Sequence, residues 1–260
     1  MGSVSQMTMR TRLDFAITPQ PTETTCGPAC LAAVYRFYND DIPSDQVFRE
    51  VQTLPGGGTL TVFLALHALK RGYDATIYTC NLQMFDPTWF VPGGPPLRER
   101  LIAQRAVKTD PKLHIATEGY LQFLDLGGQL FMEDITPQLI DRILDTGAPI
   151  IAGLSATWLY RAKRDRPHDM QEDDVAGEPL GHFVVIHGLD ASACHAAVAD
   201  PYMYLPMFSS HSYVVPVDRL ISAILLGIFT YDAKLLILTP AGRDQKSQVL
   251  PRPPTLTSDP

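Results

Sequence analysis

The segment 181–201 constrains the fold more than any other part of this chain. It holds two short apolar runs, residues 183–188 and 196–200, with a polar turn between them. Short apolar runs that are bounded by Gly, Asp and Pro are typical of strands. Two such strands joined by a short turn predict a hairpin, and hence an antiparallel sheet.

The register of this hairpin decides which side chains meet. With the turn centred near Ala191, His182 and Asp200 lie opposite one another, because each is nine positions from it. Directly opposed side chains have Cβ atoms ~4.5–5.5 Å apart, so the carboxylate could hold the imidazole in one tautomer. A one-residue bulge would spoil this register, and a strand-end histidine capped for stability by a nearby acid is the alternative interpretation.

The composition fits one folded domain. Hydrophobic residues make up 45% of the 260 residues and charged residues 19%, which excludes a collagen-like, coiled-coil or wholly disordered chain. A net charge of −7 without a Lys/Arg-rich run gives no electrostatic footprint for nucleic acid or an anionic membrane. The apolar runs are shorter than the ~20 residues that span a bilayer. We therefore expect a soluble protein with no nucleic-acid and no membrane partner.

The amino terminus and the cysteines indicate the compartment. Residues 1–11 are polar and lack the apolar central region of a secretory signal. Four cysteines are too few for a disulfide framework in a chain of this length, and they lack the paired C-x-x-C spacing of a zinc site. These features predict a cytoplasmic protein with no metal ion and no other cofactor.

Helical and strand periodicity predicts the remaining elements. A helix begins near Cys26 and buries the stripe Leu31, Val34, Tyr35 and Tyr38. A second helix covers about 59–71, and a third runs from the N-cap Thr136 to Gly147. Further elements are a short helix at 97–106, a helix at 220–225 and strands at 73–79, 149–154, 213–217 and 235–238.

These elements predict one domain over residues 13–239, with a flexible amino terminus (1–12) and a disordered Pro-rich tail (240–260). The pattern weakens over about 80–130, which we interpret as an insertion. Residues 161–178 are mostly charged, so we expect a solvated loop, and its place just before His182 predicts a mobile rim over the active site.

Cys26 is the candidate nucleophile because it lies at the start of a predicted helix. Unpaired amide hydrogens and the positive end of the helix dipole favour a thiolate there. Gly27 leaves room for a substrate backbone, and the Cys26 amide could hydrogen-bond a developing oxyanion. Gln20, six residues earlier, could supply a second donor. The alternative interpretation is that Cys26 is a small buried hydrophobe.

These motifs resemble a known family. Gln20 six residues before Cys26, the sequence CGPA at the cysteine, GHFVV at His182 and ADP at Asp200 are similar to the C39-like cysteine peptidases. These are papain-like enzymes related to the peptidases that remove double-glycine leader peptides from bacteriocins. The resemblance covers Gln20 to Thr239. It implies that Cys26 is the nucleophile, His182 the general base and then acid, Asp200 the residue that orients His182, and Gln20 the oxyanion donor.

Two departures limit what the resemblance implies. The leader-processing members have an acidic residue just before the nucleophile, whereas this chain has Thr25. They are joined to a membrane transporter with an ATPase, and this sequence contains no GxxxxGK[ST] loop and no apolar stretch of spanning length. The chain therefore resembles the free-standing bacterial members, for which the resemblance supplies no substrate.

The sequence thus predicts an α+β, papain-like fold, in which a helical part carrying Cys26 packs on an antiparallel sheet carrying His182 and Asp200, with the active site in the cleft between them. The expected activity is hydrolysis of a peptide or isopeptide bond in a peptide or protein substrate, through a thioester. Two alternatives remain: an acyltransferase or peptide cyclase that uses the same thioester, and a catalytically silent protein that binds a peptide.

Overall fold

A mixed sheet forms the centre of the computed structural model, which describes residues 11–166, 169, 171–190, 192, 194–205 and 208–242. The described strands, in chain order, are β1 (Thr11–Arg12), β2 (Tyr73–Thr79), β3 (Gln129–Phe131), β4 (Ile150–Ser155), β5 (Gly181–Asp190), β6 (His195–Ala199), β7 (Ser212–Pro216) and β8 (Lys234–Pro240). Their order across the sheet is β3-β2-β8-β4-β5-β6-β7, with β1 against β5. The pair β2 and β3 is parallel, and the other pairs are antiparallel.

Helices cover both faces of the sheet. The described α-helices are α1 (Cys26–Phe37), α2 (Ser44–Glu50), α3 (Thr61–Lys70), α4 (Leu97–Val107), α5 (Pro111–Asp125), α6 (Pro137–Leu144), α7 (Ala156–Tyr160) and α8 (Val217–Leu226). Short 3-10 turns lie at Pro87–Trp89 and Gly227–Thr230. Side chains of α1, α3 and α5 form one core with Phe183 and Val185 of β5, on what we call the α1 face. Side chains of α6, α7 and α8 form a second core with Val184 and Ile186, on the α6 face.

The α+β prediction is confirmed, because a helical part carrying Cys26 packs on the sheet that carries His182. Local signals explain the best-predicted helix, α6. Thr136 accepts a hydrogen bond from the backbone N–H of Leu139 at 3.2 Å, Pro137 follows it, and the left-handed Gly147 (φ 81°) comes after the helix. An N-cap, a proline in the first turn and a glycine stop are sufficient to fix such a helix.

The weak pattern over 80–130 contains two helices, of which the sequence predicts only α4. The second helix, α5, begins after Asp110, whose carboxylate accepts hydrogen bonds from the backbone N–H groups of Lys112 and Leu113. It contributes Leu113, Tyr120 and Phe123 to the core on the α1 face. The segment therefore packs as part of the main core.

The ends of the chain fall largely outside the described residues. Residues 11–12, expected to be flexible, form β1 against β5, with Thr11 opposite Leu189. The remainder of the predicted flexible amino terminus, residues 1–10, and the predicted tail from residue 243 onward lie outside the described residues. Within the ranges that the structure describes, no helix combines the length and hydropathy needed to cross a membrane.

Candidate active site

The nucleophile candidate, Cys26, is the first residue of α1 and is half-buried. The helix starts here because Thr25 ends an irregular segment and Pro28 lies in the first turn. No side chain caps this end of α1, so its first amide hydrogens have no partner from a capping side chain. A negative charge at Cys26 is favoured by this arrangement.

Gly27 allows α1 to approach the sheet closely. A Cβ added to Gly27 would lie 2.6 Å from Cγ2 of Thr59 and 3.1 Å from Cδ2 of Phe183. Phe183 follows His182 in β5, so the missing side chain lets the first turn of α1 settle against the strand that carries the histidine. One turn further on, the thiol of the buried Cys30 donates to the backbone carbonyl of Phe183 at 3.3 Å.

The structure brings Cys26, His182 and Asp200 together. Nε2 of His182 lies 2.8 Å from Oδ1 of Asp200, and Cys26 is near enough to His182 to raise the pKa of its imidazole. Because Nε2 is used by Asp200, Nδ1 is the ring nitrogen available to Cys26. His182 and Asp200 are both buried, whereas Cys26 keeps an accessible part.

The predicted register of the hairpin, with His182 opposite Asp200, is wrong. The observed register is set in part by a β-bulge in β5. Near the turn, Asp190 pairs with His195 and Gly188 with Ala197, a register that would put Asp200 opposite Val185. Val185 faces α1, away from His182, since side chains alternate along a strand.

The register shifts by one residue between Gly188 and Ile186, so Val185 pairs with Ala199 instead. Continued by one residue, this register places Asp200 beside Val184, which faces the same side of the sheet as His182. The two functional side chains are thus diagonal neighbours. From the sequence, a bulge is expected to separate the two side chains, whereas this bulge brings them together.

Asp200 has more hydrogen-bond donors than the sequence predicts. Its Oδ2 accepts from the hydroxyls of Tyr160, at 2.7 Å, and of Tyr213, while its Oδ1 accepts from the backbone N–H of Tyr202 at 2.9 Å. Both tyrosine hydroxyl donors are missed by the sequence analysis. They are distant from Asp200 in the chain, and their only local signal is that an isolated tyrosine sits in an otherwise apolar segment.

Charge and hydrogen bonding determine the protonation states of His182 and Asp200. Burial alone would lower the pKa of His182, but the negative charges of Asp200 and of a Cys26 thiolate, with hydrogen bonds to both, raise it to about 10. Burial alone would raise the pKa of Asp200, but the charge of His182 and the hydrogen bonds that Asp200 accepts hold it below its usual value. At neutral pH the pair is therefore imidazolium and carboxylate.

Gln20 is buried just before α1 and is tied to the segment that follows Asp200. Its backbone N–H donates to the carbonyl of Pro201 at 2.8 Å, and its side-chain Nε2 donates to the carbonyl of Thr22 at 2.9 Å. Its Oε1 is buried and has no hydrogen-bond partner among the residues described. One amide hydrogen of Gln20 is therefore committed to Thr22, and the second is free to serve another acceptor.

Three carboxylates, which we call the acidic rim, act by their negative charge on Tyr202, which lies beside His182: Glu23, Asp165 and Glu172. The rings of Tyr202 and His182 lie edge to face, with centroids 5.6 Å apart. Burial, followed by the charges of the three rim carboxylates, raises the pKa of Tyr202. Burial, Glu172 and Glu23 raise the pKa of Asp165. Two of the three rim residues belong to the charged loop 161–178, so this loop lies next to the candidate site.

The other cysteines have surroundings unlike those of Cys26. Cys30 is fully buried, and burial raises the pKa of its thiol well above the usual value. Burial also raises the pKa of Cys80, which donates to the carbonyl of Glu133 at 3.4 Å. Cys194 is exposed. Among the described residues, no group of three or more His, Cys, Asp and Glu side chains is arranged to hold a metal ion.

No protein-family model and no curated protein matches the chain. Its structure is similar to the peptidase domains of two transporters. One is a double-glycine-motif protease from an AMS/PCAT transporter in complex with the leader peptide, with 14% identity, 89% of this chain and 95% of that chain covered, and a TM-score of 0.42. Another is the peptidase domain of Streptococcus ComA, a bifunctional ABC transporter involved in quorum sensing. The identity is 12%, the match covers 87% of this chain and 98% of that chain, and the TM-score is 0.40.

Proposed function

We propose that this chain is a cysteine peptidase in which Cys26 is the nucleophile, His182 the general base and acid, and Asp200 the residue that orients His182. The observation that carries the proposal is the placement of His182, whose Nε2 lies 2.8 Å from Oδ1 of Asp200 and whose pKa is raised by both Asp200 and Cys26. An imidazole held in this way between a carboxylate and a thiol is the arrangement that nucleophilic catalysis by cysteine requires.

Acylation begins with the thiolate–imidazolium form of Cys26 and His182. The thiolate attacks the carbonyl carbon of the substrate amide, and the carbonyl electron pair moves to oxygen. His182 then gives its proton to the nitrogen of the leaving amine as the C–N bond breaks. The products of this step are a free amine and a thioester on Cys26, with His182 neutral.

Deacylation returns the site to its starting state. Neutral His182 takes a proton from water, and the hydroxyl oxygen attacks the thioester carbonyl. Collapse of the tetrahedral intermediate breaks the C–S bond and releases a carboxylic acid and the Cys26 thiolate beside imidazolium. The net reaction is the addition of one water molecule across one amide bond.

The oxyanion formed in both steps needs donors close to Cys26. The backbone N–H of Cys26, at the uncapped start of α1, is one such donor. The second amide hydrogen of Gln20 is the other, since Gln20 is held next to this segment by its bonds to Pro201 and Thr22. Loss of one oxyanion donor typically costs ~10²–10³ in turnover.

The direct test is the rate at which iodoacetamide labels each cysteine from pH 4 to pH 9, followed by mass spectrometry. We expect Cys26 to react at least tenfold faster than the exposed Cys194 at pH 6, because imidazolium beside it stabilises the reactive thiolate. His182→Ala should remove this advantage, and Asp200→Ala should reduce it. The buried Cys30 and the half-buried Cys80, whose pKa values are both raised by burial, serve as internal controls.

Two outcomes decide the proposal. Equal labelling of Cys26 and Cys194 at pH 6 would refute it, because the thiolate–imidazolium pair would be absent. Rapid labelling that persists in His182→Ala would show that the helix start alone activates the thiol. Incubation of the reactive enzyme with a peptide library, with and without an added amine, then separates hydrolysis from transfer by the mass of the new carboxyl end.

A further inference from the structure

A second buried carboxylate, Asp232, lies close to His182 and has no part in the proposed chemistry. It sits between the 3-10 turn Gly227–Thr230 and β8. Its Oδ2 accepts from the hydroxyl of Thr230 at 3.2 Å, but its Oδ1 is buried and has no hydrogen-bond partner among the described residues. A buried carboxylate oxygen without a donor is costly, so its retention calls for an explanation.

The backbone on both sides of Asp232 is strained. Tyr231 has φ 71° and Ala233 has φ 59°, and both residues carry a Cβ. The left-handed conformation costs such residues ~1–2 kcal/mol each. Strain of this kind persists where the surrounding structure holds a side chain in one required position. Here the residue held between the two strained positions is Asp232.

Two glycines make room for the carboxylate beside the catalytic strand. A Cβ on Gly153 would lie 3.0 Å from Oδ1 of Asp232, and a Cβ on Gly181 would lie 3.2 Å from Oδ2. Gly181 immediately precedes His182 and faces the same side as Phe183, the α1 face. Asp232 is 5% exposed and His182 4%, so the two residues are buried to a similar extent, and Oδ1 of Asp232 is itself shielded from solvent.

Nearby lysines do not satisfy this carboxylate. Lys234 donates to the main-chain carbonyls of Tyr231 and Asp232, and Lys112 donates to that of Thr230. Burial raises the pKa of Asp232 to about 6 even though the charges of Lys234 and Lys112 act to lower it. The carboxylate is therefore mostly ionised at neutral pH, and a further donor with positive charge would be favourable. The acidic rim, Glu23, Asp165 and Glu172, adds negative charge near the same histidine.

We propose that Asp232 is a specificity-determining residue, whose Oδ1 accepts a hydrogen bond from the cationic side chain of a Lys or Arg in the substrate, close to the bond that Cys26 attacks. This inference rests on the proposed peptidase activity and names the substrate class of that site. A hydrogen bond between charged partners discriminates by ~1.5–3 kcal/mol, which is roughly 10- to 100-fold in rate.

The test uses alanine-based tripeptidyl acyloxymethyl ketones, which alkylate an active-site thiolate. Each carries lysine or norleucine at one of its three positions, and norleucine lacks only the ammonium group. The second-order rate of Cys26 alkylation is measured by intact mass and divided by the iodoacetamide rate of the same variant. At one position, we expect the lysine ketone to alkylate Cys26 at least tenfold faster than the norleucine ketone. In Asp232→Asn, the ratio of these two rates should approach one.

Asp165→Asn is the matched control, since it removes one acidic-rim charge but leaves Asp232 in place. It should keep most of the lysine preference. If the lysine preference fell equally in Asp165→Asn and Asp232→Asn, the inference would be overturned. The preference would then come from the combined negative charge of the acidic rim. Rapid iodoacetamide labelling of Cys26 without lysine preference in the parent would overturn this inference alone. Slow iodoacetamide labelling would overturn the peptidase proposal as well.

A measurement without substitution covers the case in which Asp232→Asn does not fold. In the parent, the lysine preference should fall between pH 7 and pH 5, because Asp232, with a pKa of about 6, becomes protonated. Lys234 and His182 keep their protons in this range, since their pKa values are about 8 and about 10. Burial lowers the pKa of Lys112 and raises that of Tyr120, the other groups that face Asp232. An unchanged preference at pH 5 would contradict the role of Asp232.

Discussion

Asp200 holds His182 with one carboxylate oxygen and is itself held through the other. Oδ1 lies 2.8 Å from Nε2 of His182, while Oδ2 accepts from Tyr160 and Tyr213. Tyr160 comes from α7 and precedes the charged loop, whereas Tyr213 comes from the edge strand β7. The orientation of the imidazole is thus fixed by elements on both sides of β5, which is a form of support that active sites need for precise geometry.

We expect Tyr160→Phe and Tyr213→Phe each to lower the free energy of unfolding by about 1–3 kcal/mol, because each leaves a buried carboxylate oxygen with one donor fewer. The two losses should not be additive, since both hydroxyls serve the same oxygen. Urea unfolding of both single variants and the double variant measures this. Tyr204→Phe, at an exposed tyrosine, is the control and should change nothing. Losses below about 0.5 kcal/mol, the range of ordinary surface substitutions, would show that Oδ2 has other support.

Stability should fall as the pH rises above neutrality, because His182 is more basic in the folded chain. Its pKa is ~6.5 in an unfolded chain and is raised to about 10 in the fold. The stabilisation is therefore complete below pH ~6.5 and is lost progressively as the pH rises towards about 10. We expect a decline of a few kcal/mol across this window, measured by urea unfolding at a series of pH values.

His182→Gln should flatten this pH profile, since it removes the titrating group. Cys26→Ala should flatten it in part, because the thiolate charge contributes to the raised pKa of His182. His114→Gln, at a histidine of α5 whose ring bonds to the carbonyl of Lys108, is the control and should leave the contribution of His182 in place. An equal slope in the parent and in His182→Gln would mean that other groups cause the decline.

Gly27→Ala should destabilise the fold and displace Cys26. The new methyl group would lie 2.6 Å from Cγ2 of Thr59, well inside van der Waals contact. Overpacking of this kind typically costs ~1–3 kcal/mol. Thr59→Ser removes that Cγ2 and keeps the hydroxyl that donates to the carbonyl of Gln52. The double variant should therefore recover part of the stability and of the Cys26 labelling rate. If the double variant is as unstable as Gly27→Ala, the strain arises from the contact with Phe183 instead.

The charged loop should be removable without loss of the fold. Asp165 and Glu178 exchange backbone hydrogen bonds of 3.1 and 2.8 Å, so an Asn-Gly turn can join them in place of residues 166–177. We expect the thermal midpoint to change by no more than a few degrees, since the described residues among those deleted are mostly exposed and bond mainly to one another and to Arg164. The selectivity of Cys26 among peptidyl ketones should change, because Glu172 of the acidic rim is lost. A large drop in the midpoint would show that the loop is part of the core.

Elements with local signals could be predicted from the sequence, and those fixed by distant contacts could not. The helix at Thr136 carries its own cap, stop and apolar stripe, and it is found with nearly correct bounds. The helix α5 also carries a cap, Asp110 followed by Pro111, and it is missed because the surrounding prolines and glycines suggest irregular structure. The helix α2, Ser44–Glu50, is missed because it is short and contributes a single buried residue, Val47.

In the candidate site, too, residues with local sequence signals could be predicted and residues placed by distant contacts could not. Cys26, His182, Asp200 and Gln20 stand in recognisable local motifs, and the structure brings the first three close together. The hydroxyls of Tyr160 and Tyr213 and the carboxylate of Asp232 have no such motif. Their positions depend on which strands become neighbours in the sheet, a property of the whole chain. The exact register also depends on a bulge, for which the sequence of β5 gives no clear signal.

That bulge means that β5 carries one residue more than a regular hairpin would need to bring His182 and Asp200 to one side of the sheet. A chain lacking the extra residue could build the same pair with uninterrupted pairing and a spacing shorter by one. Spacing between the two motifs is therefore not a fixed signature of this geometry. A motif search that demands one separation would pass over distant relatives, whereas one that admits both lengths and checks the side of the sheet would find them.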